Sequence, residues 1–117
     1  MKENILVDLS KKFAVDIINI CNILSKERKE YVLFNQLLKS GTSIGANIYE
    51  ANYAASRADF INKLQISLKE CYESQYWLEI FKETKIMSEA EYAEMYSRCS
   101  KIRILLISSI NTAKEKK

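Results

Sequence analysis

Glu70 and Glu73 stand three residues apart, the spacing that puts two carboxylates on one side of a helix, and paired carboxylates are the raw material of metal sites in helical proteins. Such sites draw their other ligands from Glu-x-x-His elements, and this 117-residue chain has no histidine. The same absence removes the Ser–His–Asp triad, the Cys–His dyad, the HExxH zinc site and any imidazole acid–base pair. Cys21, Cys71 and Cys99 are odd in number, far apart and never arranged as CxxC, which argues against a disulfide framework or a zinc site. Each lies among apolar residues at helical spacing with no neighbouring base, so they read as small buried hydrophobes and not as nucleophiles. Two glycines, Gly41 and Gly45, are too few for a phosphate-cradling loop. The expectation is a protein that is not an enzyme and holds neither metal nor cofactor.

Charge leaves one other chemistry open. Lys and Arg total 18 against 15 Asp and Glu, a net +3. Residues 98–117 carry six bases against Glu115 alone, a net +5, which leaves residues 1–97 at −2 with 12 bases and 14 acids. Lys114–Lys117 read as a solvated terminus. Arg98 and Lys101, with Lys39, Arg57 and Lys63, are the candidates for contact with RNA or DNA phosphates. Seven tyrosines could stack on bases, although Tyr92 and Tyr96 are spaced as core. The opening MKENILVDL carries Glu3 and Asp8 and lacks the apolar run of a signal peptide, and no stretch approaches the roughly 20 apolar residues of a membrane span. A cytoplasmic protein with no membrane partner is expected.

The elements that must position these residues are helical throughout, because apolar residues recur with a period near 3.6. Leu6, Leu9, Phe13, Ile17, Ile20 and Leu24 make one stripe on a first helix of about residues 5–26, which the polar cluster Ser25–Glu30 ends. A second helix over 31–54 carries Phe34, Leu37, Leu38, Gly41, Ile44, Ile48, Ala51 and Ala55. Gly41 and Gly45 each cost about 1 kcal/mol in a helix interior, which the close approach of a neighbouring helix would offset; Ser40–Ser43 is also turn-like. Ser56 with Asp59, and Ser88 with Glu91, have the spacing of N-caps. They open a third helix over 57–85, with Phe60, Leu64, Leu68, Cys71, Leu78 and Phe81, and a fourth over 89–113, with Tyr92, Met95, Tyr96, Cys99, Ile102, Leu106 and Ile110. Short loops force sequential helices antiparallel, so the expected architecture is a single all-α, up-down-up-down four-helix bundle.

The third helix has apolar residues to spare. Ile66, Trp77 and Ile80 lie roughly opposite its main stripe, with Tyr76 between, and a bundle helix with two apolar stripes is either unusually buried or meets a second molecule. A homo-oligomer is the partner this suggests. Arg103, at the edge of the fourth helix's apolar face, must snorkel or find a carboxylate, for which Glu50, Glu70 and Glu73 are the candidates within or between chains.

Two stretches carry more specific information, Leu38–Ala51 (LKSGTSIGANIYEA) and Ala58–Glu79 (ADFINKLQISLKECYESQYWLE). Their S-x-x-S-I-x-x-N-I-x-E pattern (Ser40, Ser43, Ile44, Asn47, Ile48, Glu50), D-F-x-x-K-L pattern (Asp59, Phe60, Lys63, Leu64) and K-E-x-x-E-x-x-Y-W-L pattern (Lys69, Glu70, Glu73, Tyr76, Trp77, Leu78) are together similar to the bacterial family of 23S ribosomal RNA intervening-sequence proteins. The resemblance runs from about Phe13 to Leu106. It implies a left-handed four-helix bundle that assembles into a homopentameric ring with a central channel, with no established catalytic activity. A related branch, the accessory protein of diversity-generating retroelements, is a basic barrel that binds nucleic acid and a reverse transcriptase; the modest charge of this chain fits that branch less well. Ile66, Tyr76, Trp77, Ile80, Asn47, Glu50, Glu70 and Glu73 are the expected oligomer-interface residues.

Overall fold

The computed structural model describes residues 2–116, with side chains from Ile5 onward. Four helices follow in order: α1 (Lys2–Leu24), α2 (Tyr31–Ala51), α3 (Arg57–Glu83) and α4 (Glu89–Glu115). The helix starts are written in side-chain hydrogen bonds. Ser56 Oγ accepts from the Asp59 N–H at 3.1 Å and caps α3. Ser88 and Glu91 form a full capping box at α4, with reciprocal bonds of 3.1 and 2.9 Å. Glu30 precedes α2 without a side-chain cap. Lys85, with φ 64°, makes the left-handed turn that stops α3.

Pairings across the bundle run antiparallel at each step. Gly41 faces Ile17 and Gly45 faces Ser10 between α1 and α2. Ser67 meets Ile44 and Ser74 meets Ser40 between α2 and α3. Lys82 meets Tyr92 and Tyr72 meets Arg103 between α3 and α4. Each helix packs on two neighbours, and among the described residues the backbones of diagonal helices do not come close, so α1, α2, α3 and α4 stand in order at the corners of a roughly square section of 21 × 19 Å. The result is a rod of 51 × 21 × 19 Å. No helix among the described residues is long and apolar enough to cross a membrane.

The second helix runs unbroken through both glycines because α1 leaves no room for side chains there. A Cβ on Gly41 would lie 3.2 Å from two carbons of Ile17, and one on Gly45 would lie 3.3 Å from the Ser10 main-chain oxygen. One core runs the length of the rod, from Leu6, Phe13 and Ile17 through Ile44, Leu64 and Leu78 to Ile102 and Leu106, with Phe34 edge-on to Phe81 at 5.5 Å.

The core differs from the apolar stripes in instructive ways. Ser10, Ser40, Ser67, Ser74, Ser109 and Gln75 are buried on it, while Leu9, Ile20, Leu24, Leu38, Phe60, Leu68, Tyr92 and Tyr96 are only partly covered at its margin. Small serines let helices come close, and all of these but Ser109 return their hydroxyls to nearby acceptors: Ser40 to the Leu37 carbonyl, Ser67 to the Ile44 carbonyl at 2.8 Å. Ile86 and Met87, in the loop after α3, fold back to plug the bundle end. Ala55 lies beyond the end of α2 and is exposed, because the helix stops at Ala51.

Candidate functional site

The apolar residues of the family-like motifs, Ile44, Ile48, Leu64 and Leu78, are core, while the polar ones Asn47, Glu50 and Lys63 lie on the outside where α2 and α3 meet. Beneath it, Ser74 Oγ donates to Ser40 Oγ at 2.9 Å. Above it, Lys63 Nζ donates to Glu50 Oε1 at 2.9 Å, and Glu50 holds the ammonium above its ordinary pKa. Asn47 donates its side-chain amide to the Ser43 carbonyl at 2.9 Å. Asn47 and Glu50 are therefore satisfied within the chain. Glu70 and Glu73 are not: neither makes an ion pair among the described residues. Burial pushes the Glu70 carboxyl up from its ordinary pKa, the Glu73 charge adds to this, and Lys39 and Lys69 partly oppose it. The described residues offer no third metal ligand beside this pair.

Further along α3, Trp77 and Ile80 pack partly against the chain's own core, so the second apolar stripe is narrower than its spacing suggests. Ile66 stays half-buried outside that cluster. The indole ring of Trp77 lies edge-on to Tyr76 at 5.1 Å, and its Nε1–H is buried with no acceptor. Tyr76 is 56% exposed.

The adjoining face, between α3 and α4, holds a shallow hollow of about 360 Å³ lined by Tyr72, Gln75, Tyr76, Glu79, Tyr96 and Arg103. Gln75 closes its floor by donating to Ser100 Oγ at 2.9 Å. Arg103 lies over the Tyr72 ring at 5.7 Å, a cation–π contact. Among the described residues Arg103 has no carboxylate partner, and its Nε–H is buried without an acceptor. The intrachain pairing with Glu50, Glu70 or Glu73 fails for a geometric reason. Glu70 lies about 200° and Glu73 about 100° round α3 from Tyr72, so Glu70 is on the α2 side and Glu73 points outward, while Arg103 lies on the α4 side.

The candidate phosphate contacts are not gathered into a patch. Lys39 and Lys63 lie on the α2–α3 face, the latter bound to Glu50. Arg57 opens α3 at the rod's end and donates to the Lys116 carbonyl. Arg98 sits on the opposite side of the bundle, where Asp16 at 2.6 Å and Glu94 at 3.3 Å hold it. Lys101 is exposed beside it. Three of the five are occupied at home, and α4 is helical to Glu115, further than its lysine-rich end suggests; Lys117 lies outside the described residues.

The three thiols are buried and free. Cys99 Sγ donates to the Cys71 carbonyl at 3.5 Å. The Cys99 contact and burial together push the Cys71 thiol well above its ordinary pKa, and burial pushes Cys21 up to about 11.

These features define an antiparallel, all-α four-helix bundle with two polar faces flanking α3. The chain belongs to the family described as 23S rRNA-intervening sequence protein, whose pattern matches residues 2–108. A crystal structure of a protein of unknown function from Bacteroides thetaiotaomicron, described as of the S23 ribosomal protein family, is 50% identical and superposes with a TM-score of 0.92. The match covers 95% of this chain and 99% of that one. Among curated proteins none matches.

Proposed function

We propose that this protein is a non-enzymatic module of the cytoplasm that works by assembling with further copies of itself, as a closed ring of which five subunits is the number its family resemblance implies. One observation carries this reading: α3 presents Tyr72 and Tyr76, 51% and 56% exposed on one face, and beside them Trp77, whose indole N–H is buried and unpartnered. Tyrosine and tryptophan supply large apolar area with a polar handle, which is the composition of buried contacts between proteins and not of solvated helix faces. The three free thiols suit a reducing compartment. The measurement is the mass in solution at micromolar concentration by light scattering coupled to size exclusion. The expected mass is a small multiple of 13.6 kDa, about fivefold; a species of 13.6 kDa would remove the reading.

A further inference from the structure

Resting on that reading, we infer that neighbouring copies contact head to tail, with Arg103 and Tyr72 of one copy docking against Glu70 and Glu73 of the next. Three observations carry it.

The first is charge. Arg103 is a half-buried cation that pairs with no carboxylate among the described residues, Glu79 of the same hollow included, and it is held against Tyr72 with its Nε–H shut away, so only its terminal amino groups remain to reach a partner. Elsewhere round α3, Glu70 and Glu73 are two carboxylates without an ion-pair partner among the described residues. Glu70 is partly desolvated and already held above its ordinary pKa, as expected of a carboxylate built to receive a cation that the single chain does not supply. A planar guanidinium can serve two neighbouring carboxylates at once, which an ammonium does less well.

The second is height. Tyr72 lies between Glu70 and Glu73 in the sequence of α3, so Arg103, stacked on Tyr72, stands level with both glutamates along the bundle axis. Rotation about an axis parallel to the bundle preserves height. It therefore carries the cation of one copy to the carboxylates of the next with no sliding.

The third is angle. The two faces adjoin at α3, so in a square bundle they look out at about 90° to each other, and a cyclic ring closes with four subunits at about 90° or five at about 108°. Two faces of one kind meeting isologously would stop at a dimer and leave the other face bare. The heterologous contact uses both, turns α3 toward the ring axis and needs no second type of interface.

Charge reversal on the whole chain tests this. Arg103→Glu, and separately Glu70→Lys with Glu73→Lys, should each shift the assembly to monomer, weakening association about tenfold or more. The glutamates lie on the outer face and their reversal is read beside circular dichroism, so a folding failure of Arg103→Glu would not decide the matter. The chain carrying all three reversals restores the opposite charges across the contact and should regain the wild-type mass. Wild-type mass in either reversed variant, or a folded triple variant that stays monomeric, would overturn the head-to-tail contact while leaving self-assembly intact. A monomeric wild-type chain would instead remove the assembly reading itself.

Discussion

At the scale of single residues, the side chains divide into those whose chemistry is settled inside the chain and those left open. Arg98 finds Asp16 and Glu94, Lys63 finds Glu50, and Asn47 turns back on its own helix. Arg103, Glu70, Glu73 and the Trp77 indole stay open, and all four belong to or adjoin α3. The cysteines are settled by burial, helped at Cys71 by its contact with Cys99, and at Cys21, where burial acts alone, this has a measurable sign. Cys21 is held at about 11, above its unfolded value of 9.0, so the folded chain binds the proton more tightly. Its contribution to stability is complete below about pH 9 and is lost as pH rises through about 11, amounting to about 3 kcal/mol. Cys21→Ala should flatten the alkaline fall in denaturant-unfolding free energy between pH 9 and 11 relative to wild type, after an offset at neutral pH from the lost sulfur. A parallel alkaline fall in both proteins would show that burial does not hold the thiol proton.

At the scale of helices, the approach of α1 to α2 is set by what is missing. The Ser10 carbonyl and hydroxyl occupy the space a side chain would take at Gly45. Alanine gains about 1 kcal/mol of helix propensity there, but overpacking against main chain costs about 1–3 kcal/mol. Gly45→Ala should therefore lower stability by about 1 kcal/mol, seen as a fall in Tm of about 4 °C; a rise would mean that α1 yields freely. The Ser-x-x-acid spacing at Ser56 and Ser88 made the starts of α3 and α4 legible in the sequence, since a capping hydroxyl and an acid in the first turn act locally. Gly41 and Gly45 were legible for the same kind of reason, their cost demanding a close neighbour. The buried serines were not, because the 3.6-residue period is read from apolar side chains, whereas Ser67 and Ser74 enter the core by finding acceptors 23 and 34 positions away. Ile86 and Met87 carry no period in a loop, and only the closed bundle end shows that they are core.

For the whole molecule, the sequence shows two unmatched groups, Arg103 and the Glu70–Glu73 pair, but not that they stand at one height on adjoining faces. That relation exists only once α3 and α4 are packed with Tyr72 between them. It also predicts the outline of the assembly. Copies related by an axis parallel to the bundle keep the 51 Å length as the particle's height and grow only sideways. Five rods about 20 Å thick set side by side give a ring about 55 Å across, so its longest internal distance is about 75 Å. Copies joined end to end, through the groove formed by Ala51, Arg57, Ala113 and their neighbours, would exceed about 100 Å, since each added rod contributes its full length. Small-angle scattering of the assembled protein should therefore give a maximum dimension near 75 Å. A value above 100 Å would exclude the parallel ring, because no rotation about an axis along the bundle can lengthen the rod.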